Sequence, residues 1–453
     1  MLQALTININ RFFNKGHERS VRARKNIFRS VLLKVGSVVI TLVMIPLTIR
    51  YVNPTQYGIW LTLSSLITWA ALFDMGLGNG LKNKLAEAIA LNQTEKGRVY
   101  VSSTYAIMAV IGLLMFVVFY FINPFIKWTS VLNVPDDGSG SLNNIVLIIF
   151  AFFCFQFVIQ LINTVLAANQ QPAKTAQLNL VGQVCSLIAI LLLIKLVPGS
   201  LTWLVMVMAG VPLLVLLGGS ILAFKGDYRS LAPAISVINF KSARQMLSVG
   251  STFFIIQICA LVMYESDNMV ITQLFGPKEV TTFNIAYRLF SVVLMFFVVV
   301  ITPFWSAFTE AFTKNEFEWI KNALARINKL WIGLSLCTVV LTAISPWVYD
   351  VWVGKSVSVP FSLSIAMCIY IITLIYQAIH VQFLNGIGKI KLQLYLGVGT
   401  SVINIPLSIL MGKWIGVAGI PIANALIFVI MGIVFSTQTN RIINRTATGI
   451  FNR

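Results

Sequence analysis

Twelve runs of about twenty or more mostly apolar residues dominate this chain: 30–50, 57–78, 101–122, 144–168, 177–197, 201–224, 245–267, 284–304, 328–350, 361–384, 393–412 and 416–436. A bilayer core of about 30 Å is crossed by a helix of about 20 residues, so each run is long enough to span one. Hydrocarbon offers no partner to backbone N–H and C=O groups, which leaves helices and closed barrels as the spanning structures. Barrel strands are about ten residues long and alternate apolar with polar. These runs are too long and too continuous for that. The fold class that follows is all-α integral membrane, with about twelve transmembrane helices.

Composition agrees. Of 453 residues, 58% are hydrophobic and 10% are charged, against about 25% charged in a soluble domain. Mean hydropathy is +0.86. The net charge of +19 would suggest nucleic acid in a soluble protein. Here its distribution says otherwise. With the N-terminus placed in the cytoplasm, the inward loops hold 25 of the 33 basic residues. The outward side holds six, Arg50, Lys127, Lys195, Lys278, Lys355 and Lys413. This is the positive-inside pattern of a multi-pass membrane protein. It puts both termini in the cytoplasm and makes a nucleic-acid partner unexpected. Residues 1–28 are polar and basic, and the apolar run after them is too long for a cleavable signal, so it is expected to span.

The outward loops are short. The longest, 123–143, contains Asp136-Asp137-Gly138-Ser139-Gly140, which reads as a solvated turn. The longest inward connections are 79–100, 225–244 and 305–327, and the last two mix charged and apolar residues as surface helices do. The expected organisation is a basic segment 1–28, a six-helix bundle 29–224, a linker 225–244, a second six-helix bundle 245–437 and a tail 438–453. The halves repeat. Val35-Gly36-Ser37 matches Val249-Gly250-Ser251, and Asn53-Pro54 matches Gly276-Pro277. Gln160, Asn163 and Asn169 match Gln377, His380 and Asn385. Six spans per half is even, so the repeat is parallel, about an axis along the membrane normal. Two parallel six-helix bundles around a central cavity are a transporter architecture.

Ionisable groups inside membrane spans are costly and mark candidate sites. Lys34, Arg50, Asp74, Glu265, Asp267 and Arg288 qualify. For Lys34, Arg50 and Arg288 the plain alternative is snorkelling to the nearest headgroups. Arg288 follows Asn284 and Tyr287 on a polar helical face, and Glu265 is either its ion-pair partner or a separate site group. Lys34 corresponds to Ser248 in the second half, so it is not demanded by the shared architecture. A second, uncharged set is Gln156, Gln160 and Asn163, spaced to share one helical face, with Gln377 and His380 on another. Such amides either bond between helices or line a cavity. The five cysteines each stand alone in apolar runs, so no disulfide or metal site is expected. No catalytic motif occurs: there is no P-loop, GxSxG or HExxH.

Three segments carry a family resemblance. Asn53-Pro54-Thr55-Gln56-Tyr57-Gly58-Ile59-Trp60 resembles the segment between the first two helices of polysaccharide (O-antigen and capsule precursor) flippases. Phe73-Asp74-Met75-Gly76-Leu77-Gly78-Asn79-Gly80-Leu81 is similar to their phenylalanine-aspartate-x-glycine stretch. Asp267-Asn268-Met269-Val270-Ile271, Phe275-Gly276-Pro277 and Ala286-Tyr287-Arg288-Leu289 resemble their helix 7–8 region. These motifs mark the wider superfamily of multidrug, oligosaccharidyl-lipid and polysaccharide exporters.

The resemblance implies a V-shaped pair of bundles in a bacterial inner membrane. They would move an oligosaccharide, linked by diphosphate to undecaprenol, from the cytoplasmic to the periplasmic leaflet. Its partners would be the lipid-linked oligosaccharide, membrane lipid and polysaccharide assembly proteins. Lys34, Arg50 and Arg288 would meet the diphosphate. Gln156, Gln160, Asn163 and Gln377 would meet sugar hydroxyls. Glycines 76, 78 and 80 would let helix 2 bend. With no ATP site and no cofactor, an ion gradient is the expected drive, with Asp74, Glu265 and Asp267 placed to bind a proton or sodium ion. The rival readings are a cation-coupled multidrug exporter of the same superfamily, against which the intramembrane basic residues speak, and a polysaccharide polymerase or ligase, against which the short outward loops speak.

Overall fold

A computed structural model describes residues 18–70, 77–134, 141–169, 171–239, 258–259, 261–263, 265–302 and 304–452. All regular structure among the described residues is helical. In chain order the helices are α1 (Glu18–Tyr51), α2 (Pro54–Ala70), α3 (Leu77–Ala90), α4 (Thr94–Ile122), α5 (Trp128–Val131), α6 (Ser141–Ile159), α7 (Leu161–Ala168), α8 (Pro172–Leu196), α9 (Leu201–Val205) and α10 (Val211–Lys225). Then follow α11 (265–275), α12 (Pro277–Ile301), α13 (Phe304–Thr313), α14 (Phe317–Trp352), α15 (Phe361–Gly386), α16 (Lys391–Ile415) and α17 (Gly419–Ile443).

Eight described stretches are long and apolar enough to cross a membrane, and the last of them, Lys391–Ile443, holds two consecutive helices. The apolar part of α1 and helix α2 lie in the first two expected spans, while most of the expected span 245–267 lies outside the described residues. The chain is an all-helical, multi-pass membrane protein. Apolar side chains such as Leu113, Leu114, Val117 and Phe121 on α4 are exposed, as lipid-facing residues are. Two helices outrun the bilayer: α1 has 34 residues and α14 has 36, about 50 Å each at 1.5 Å per residue. Their apolar stretches coincide with the expected spans 30–50 and 328–350.

The chain divides into two compact units. The first comprises Met1–Tyr51, Phe73–Ile126 and Gly140–Ser251. In it α1 packs on α8, α8 on α10, α4 on α6, and α3 on α4 and α7. Its core gathers Leu77, Leu81, Leu85, Met108, Phe157 and Val165, all nearly inaccessible. Near Pro212, which lacks an N–H, the helix opens into a widened turn at Met206–Gly210.

The described part of the linker is not a surface helix. It carries only short turns and is strapped to α4. Arg98 Nε donates to the Ala232 carbonyl, while Ser102 and Ser103 hydroxyls accept from the Ala234 and Asn239 amides. Pro233 interrupts any helix here. Lys174 bonds Asp227 at 2.7 Å and holds that carboxyl below the usual aspartate range. The other expected surface segment does contain a short helix, α13, which buries Phe308 and Ala311.

The second unit comprises Val52–Leu72, Lys127–Ser139 and Thr252–Arg453. Its closest helix pairs are α15 with α17 and with α14, α12 with α2 and α15, and α16 with α17. Glycine permits one such contact: a Cβ at Gly432 on α17 would press on the Tyr376 ring of α15.

Candidate functional site

The site is built on the turn between α11 and α12. Gly276 takes φ +91°, where a side chain would be strained, and Pro277 starts α12 at a position whose N–H needs no partner. The turn lays the end of α11 beside the start of α12. Asn284 Nδ2 then reaches Asn268 Oδ1 at 2.8 Å.

Helix α2 docks on this pair through small and hydroxyl-bearing residues. A Cβ at Gly58 would overlap the Pro277 carbonyl. Thr281 Oγ1 donates to the Pro54 carbonyl at 2.6 Å, and the Thr62 and Thr272 hydroxyls bond at 2.7 Å. Asn268 Nδ2 donates to Ser65 Oγ at 2.6 Å.

Beside this ladder lies a cavity of about 240 Å³, bordered by α2, α11, α12 and α15. Glu265, Asp267 and Arg288 bring charge to it, and Ser64, Ser65, Asn268 and Asn284 bring hydrogen-bonding groups. Leu61, Phe283, Tyr287 and Tyr370 form its apolar wall. Arg288 is exposed and Glu265 half-buried. They share the lining, yet no ion pair joins them among the described residues.

Asp267 is only 5% exposed. Its Oδ2 accepts from Asn424 Nδ2 at 2.7 Å, and its Oδ1 is buried with no partner among the described residues. The bonds continue inward. Asn424 Oδ1 accepts from Asn404 Nδ2 at 2.6 Å, and Asn404 Oδ1 accepts from Ser266 Oγ at 3.2 Å. One turn along α16 from Asn404, the buried Ser408 hydroxyl also lacks a partner among the described residues. A carboxylate with spare lone pairs suits a proton or a hard cation.

Of the expected site residues, the cavity brings together Glu265, Asp267 and Arg288. Gln377 and His380 are buried on α15 outside its lining, and neither His380 nitrogen has a partner among the described residues. Arg50 is exposed at the end of α1, in the first unit. Also in that unit, Gln156 is exposed on α6, Gln160 sits at the break before α7, and Asn163 keeps a buried Oδ1 with no partner among the described residues. The backbone of α1 passes through Lys34, but its side chain lies outside the described residues, as does Asp74 altogether. Sequence reasoning passed over Ser65, Tyr370, Asn404 and Asn424. The rule applied to Gln156 and Gln377, that amides in apolar helices need partners, would have flagged Asn404 and Asn424.

A profile of a family of polysaccharide biosynthesis proteins matches residues 23–307, more than half of the chain. The chain belongs to the polysaccharide biosynthesis protein family. A second profile, MatE, matches residues 253–410. A Yersinia pseudotuberculosis protein named for O-antigen export is 19% identical, over 78% of this chain and 81% of its own length. A Salmonella typhimurium protein named for O-antigen transport is 20% identical over the same shares. Among solved structures, an inward-facing multidrug resistance MATE transporter of the MOP superfamily superposes with TM-score 0.69 at 14% identity, covering 92% of this chain and 95% of that one. A Vibrio cholerae MATE transporter mutant gives 0.63 at 15% identity, covering 95% and 99%. These solved structures show the fold: this family member shares the all-helical, multi-pass membrane architecture of those transporters.

Proposed function

We propose that this chain is a flippase that carries an oligosaccharide, joined through diphosphate to undecaprenol, between the leaflets of a bacterial inner membrane. Transport runs from the cytoplasmic to the periplasmic side by alternating access, with both termini in the cytoplasm. One observation carries the reading: an exposed guanidinium, Arg288, lines a cavity that also presents amides, hydroxyls, carboxylates and an apolar wall, in the spanning part of the second unit. A diphosphate cannot cross hydrocarbon unaided, and guanidinium donors match phosphate oxygens in geometry and charge. The names of the Yersinia and Salmonella relatives support an O-antigen-like cargo. Lys34 and Arg50 supply further positive charge for the diphosphate, and Gln156, Gln160, Asn163 and Gln377 further sugar contacts. Asp267, with Glu265 beside it, is the coupling site for a proton or sodium ion.

The test is export in cells. Arg288→Ala and Lys34→Ala should each lower surface polysaccharide while the protein inserts normally. Full complementation by both variants would reject the cationic-site mechanism. A second reading, export of cationic drugs, draws on Glu265 and Asp267 lining the same cavity. Deletion would then change drug sensitivity and leave surface polysaccharide intact.

A further inference from the structure

We propose that the Tyr287–Tyr370 wall of this cavity is a subsite for a single pyranose ring, and that these two tyrosines set the sugar specificity of transport. This rests on reading the cargo as a lipid-linked sugar. The two rings lie 6.3 Å apart at 66°, and Tyr370 is backed by Phe428 at 5.6 Å. The wall is therefore held by packing across α12, α15 and α17. An aromatic face with polar groups close by fits a sugar, which is apolar on its C–H face and hydroxylated at its rim.

The hydrogen-bond ledger separates a sugar from a phosphate. Asn284 Nδ2 donates to both Asn268 Oδ1 and the Val280 carbonyl, which uses its two hydrogens. Its Oδ1 is left to accept. Asn268 Nδ2 spends one hydrogen on Ser65 Oγ, which itself donates to the Leu61 carbonyl, and keeps the other. Glu265 and Asp267 add carboxylate oxygens to the lining. Apart from Arg288, the cavity thus offers mostly acceptors, and acceptors repel phosphate oxygens. Sugar hydroxyls donate to acceptors and accept from the remaining Asn268 hydrogen.

The 240 Å³ cavity is large enough to seat a pyranose ring. Arg288 meets the charged group next to that ring.

The experiment measures binding to the full-length protein in lipid nanodiscs. The probes are undecaprenyl diphosphate, alone or carrying one glucose or one galactose. The wild type should bind a sugar-bearing probe about tenfold more tightly than the bare lipid. Tyr287→Leu should remove that preference while binding of the bare lipid persists, which also reports that the variant is folded. Arg288→Ala should weaken all three probes alike. Tyr287→Trp, with a larger face, should shift the glucose-to-galactose ratio. Retention of the full sugar preference by Tyr287→Leu, or an unshifted ratio in Tyr287→Trp, overturns the subsite. Failure of the wild type to bind any probe overturns the lipid-linked cargo itself, and the subsite with it.

Discussion

The amide of Asn424 donates a 2.7 Å hydrogen bond to the carboxylate of Asp267, joining residues 157 positions apart. Both are buried, and the same Asn424 accepts from Asn404. Asn424→Leu would leave two buried groups without partners, at about 1–3 kcal/mol each. The melting temperature of the purified protein should fall clearly. Asp267→Asn keeps the volume and an acceptor for Asn424, so it should melt like the wild type yet fail to export. Normal export by Asp267→Asn would remove the carboxylate from the coupling site.

Gly58 allows the backbones of α2 and α12 to touch at Pro277. In Gly58→Ala, neither backbone can yield locally, so α2 must move off the Thr62–Thr272 and Thr281–Pro54 bonds. Overpacking of this kind costs about 1–3 kcal/mol. Gly333 on α14 is the control, because a Cβ there meets nothing within 4 Å. Gly333→Ala should stabilise slightly, since alanine loses less backbone freedom in a helix. Equal melting temperatures for the two variants would refute the close-approach argument.

Gln273 and Asn133 each clasp backbone carbonyls of the segment that carries the other. Gln273 Nε2 donates to the Ser130 and Val131 carbonyls, and Asn133 Nδ2 to those of Thr272 and Gln273. These carbonyls lie at helix ends, where intrahelical partners run out. Each alanine variant should cost about 0.5–1.5 kcal/mol. A double-mutant cycle should reveal coupling above about 0.5 kcal/mol. Strict additivity would mean the two amides act separately.

His380 is buried with both nitrogens unpartnered among the described residues, and its ring lies 5.2 Å from that of Tyr376. A polar group in that state is a liability, and an apolar side chain of similar size removes it. His380→Leu should melt at or above the wild-type temperature, with export unchanged. Lost export at an unchanged melting temperature would assign His380 a part in transport.

The spans were legible in the sequence because membrane crossing is a local property. A run of about twenty apolar residues satisfies its own backbone whatever its neighbours do, and eight described stretches long and apolar enough to cross a membrane coincide with such runs. Pairings were not. Asn404 and Asn424 stand out as amides in apolar helices, but only packing shows that they form a relay to Asp267. Pro233 in the linker speaks against a helix, but only the fold shows that the segment is tied to Ser102 and Ser103. Glu265 and Arg288 could be read as an ion pair from spacing alone, whereas the tertiary structure leaves both to line one cavity. Helix α2 follows the first helix in the chain yet belongs to the second unit. The bareness of Gly58 and the hydroxyls of Thr62 and Ser65 find their complements on α11 and α12. Hydrophobic length is written in one dimension; the matching of surfaces and donors is settled only when distant segments meet.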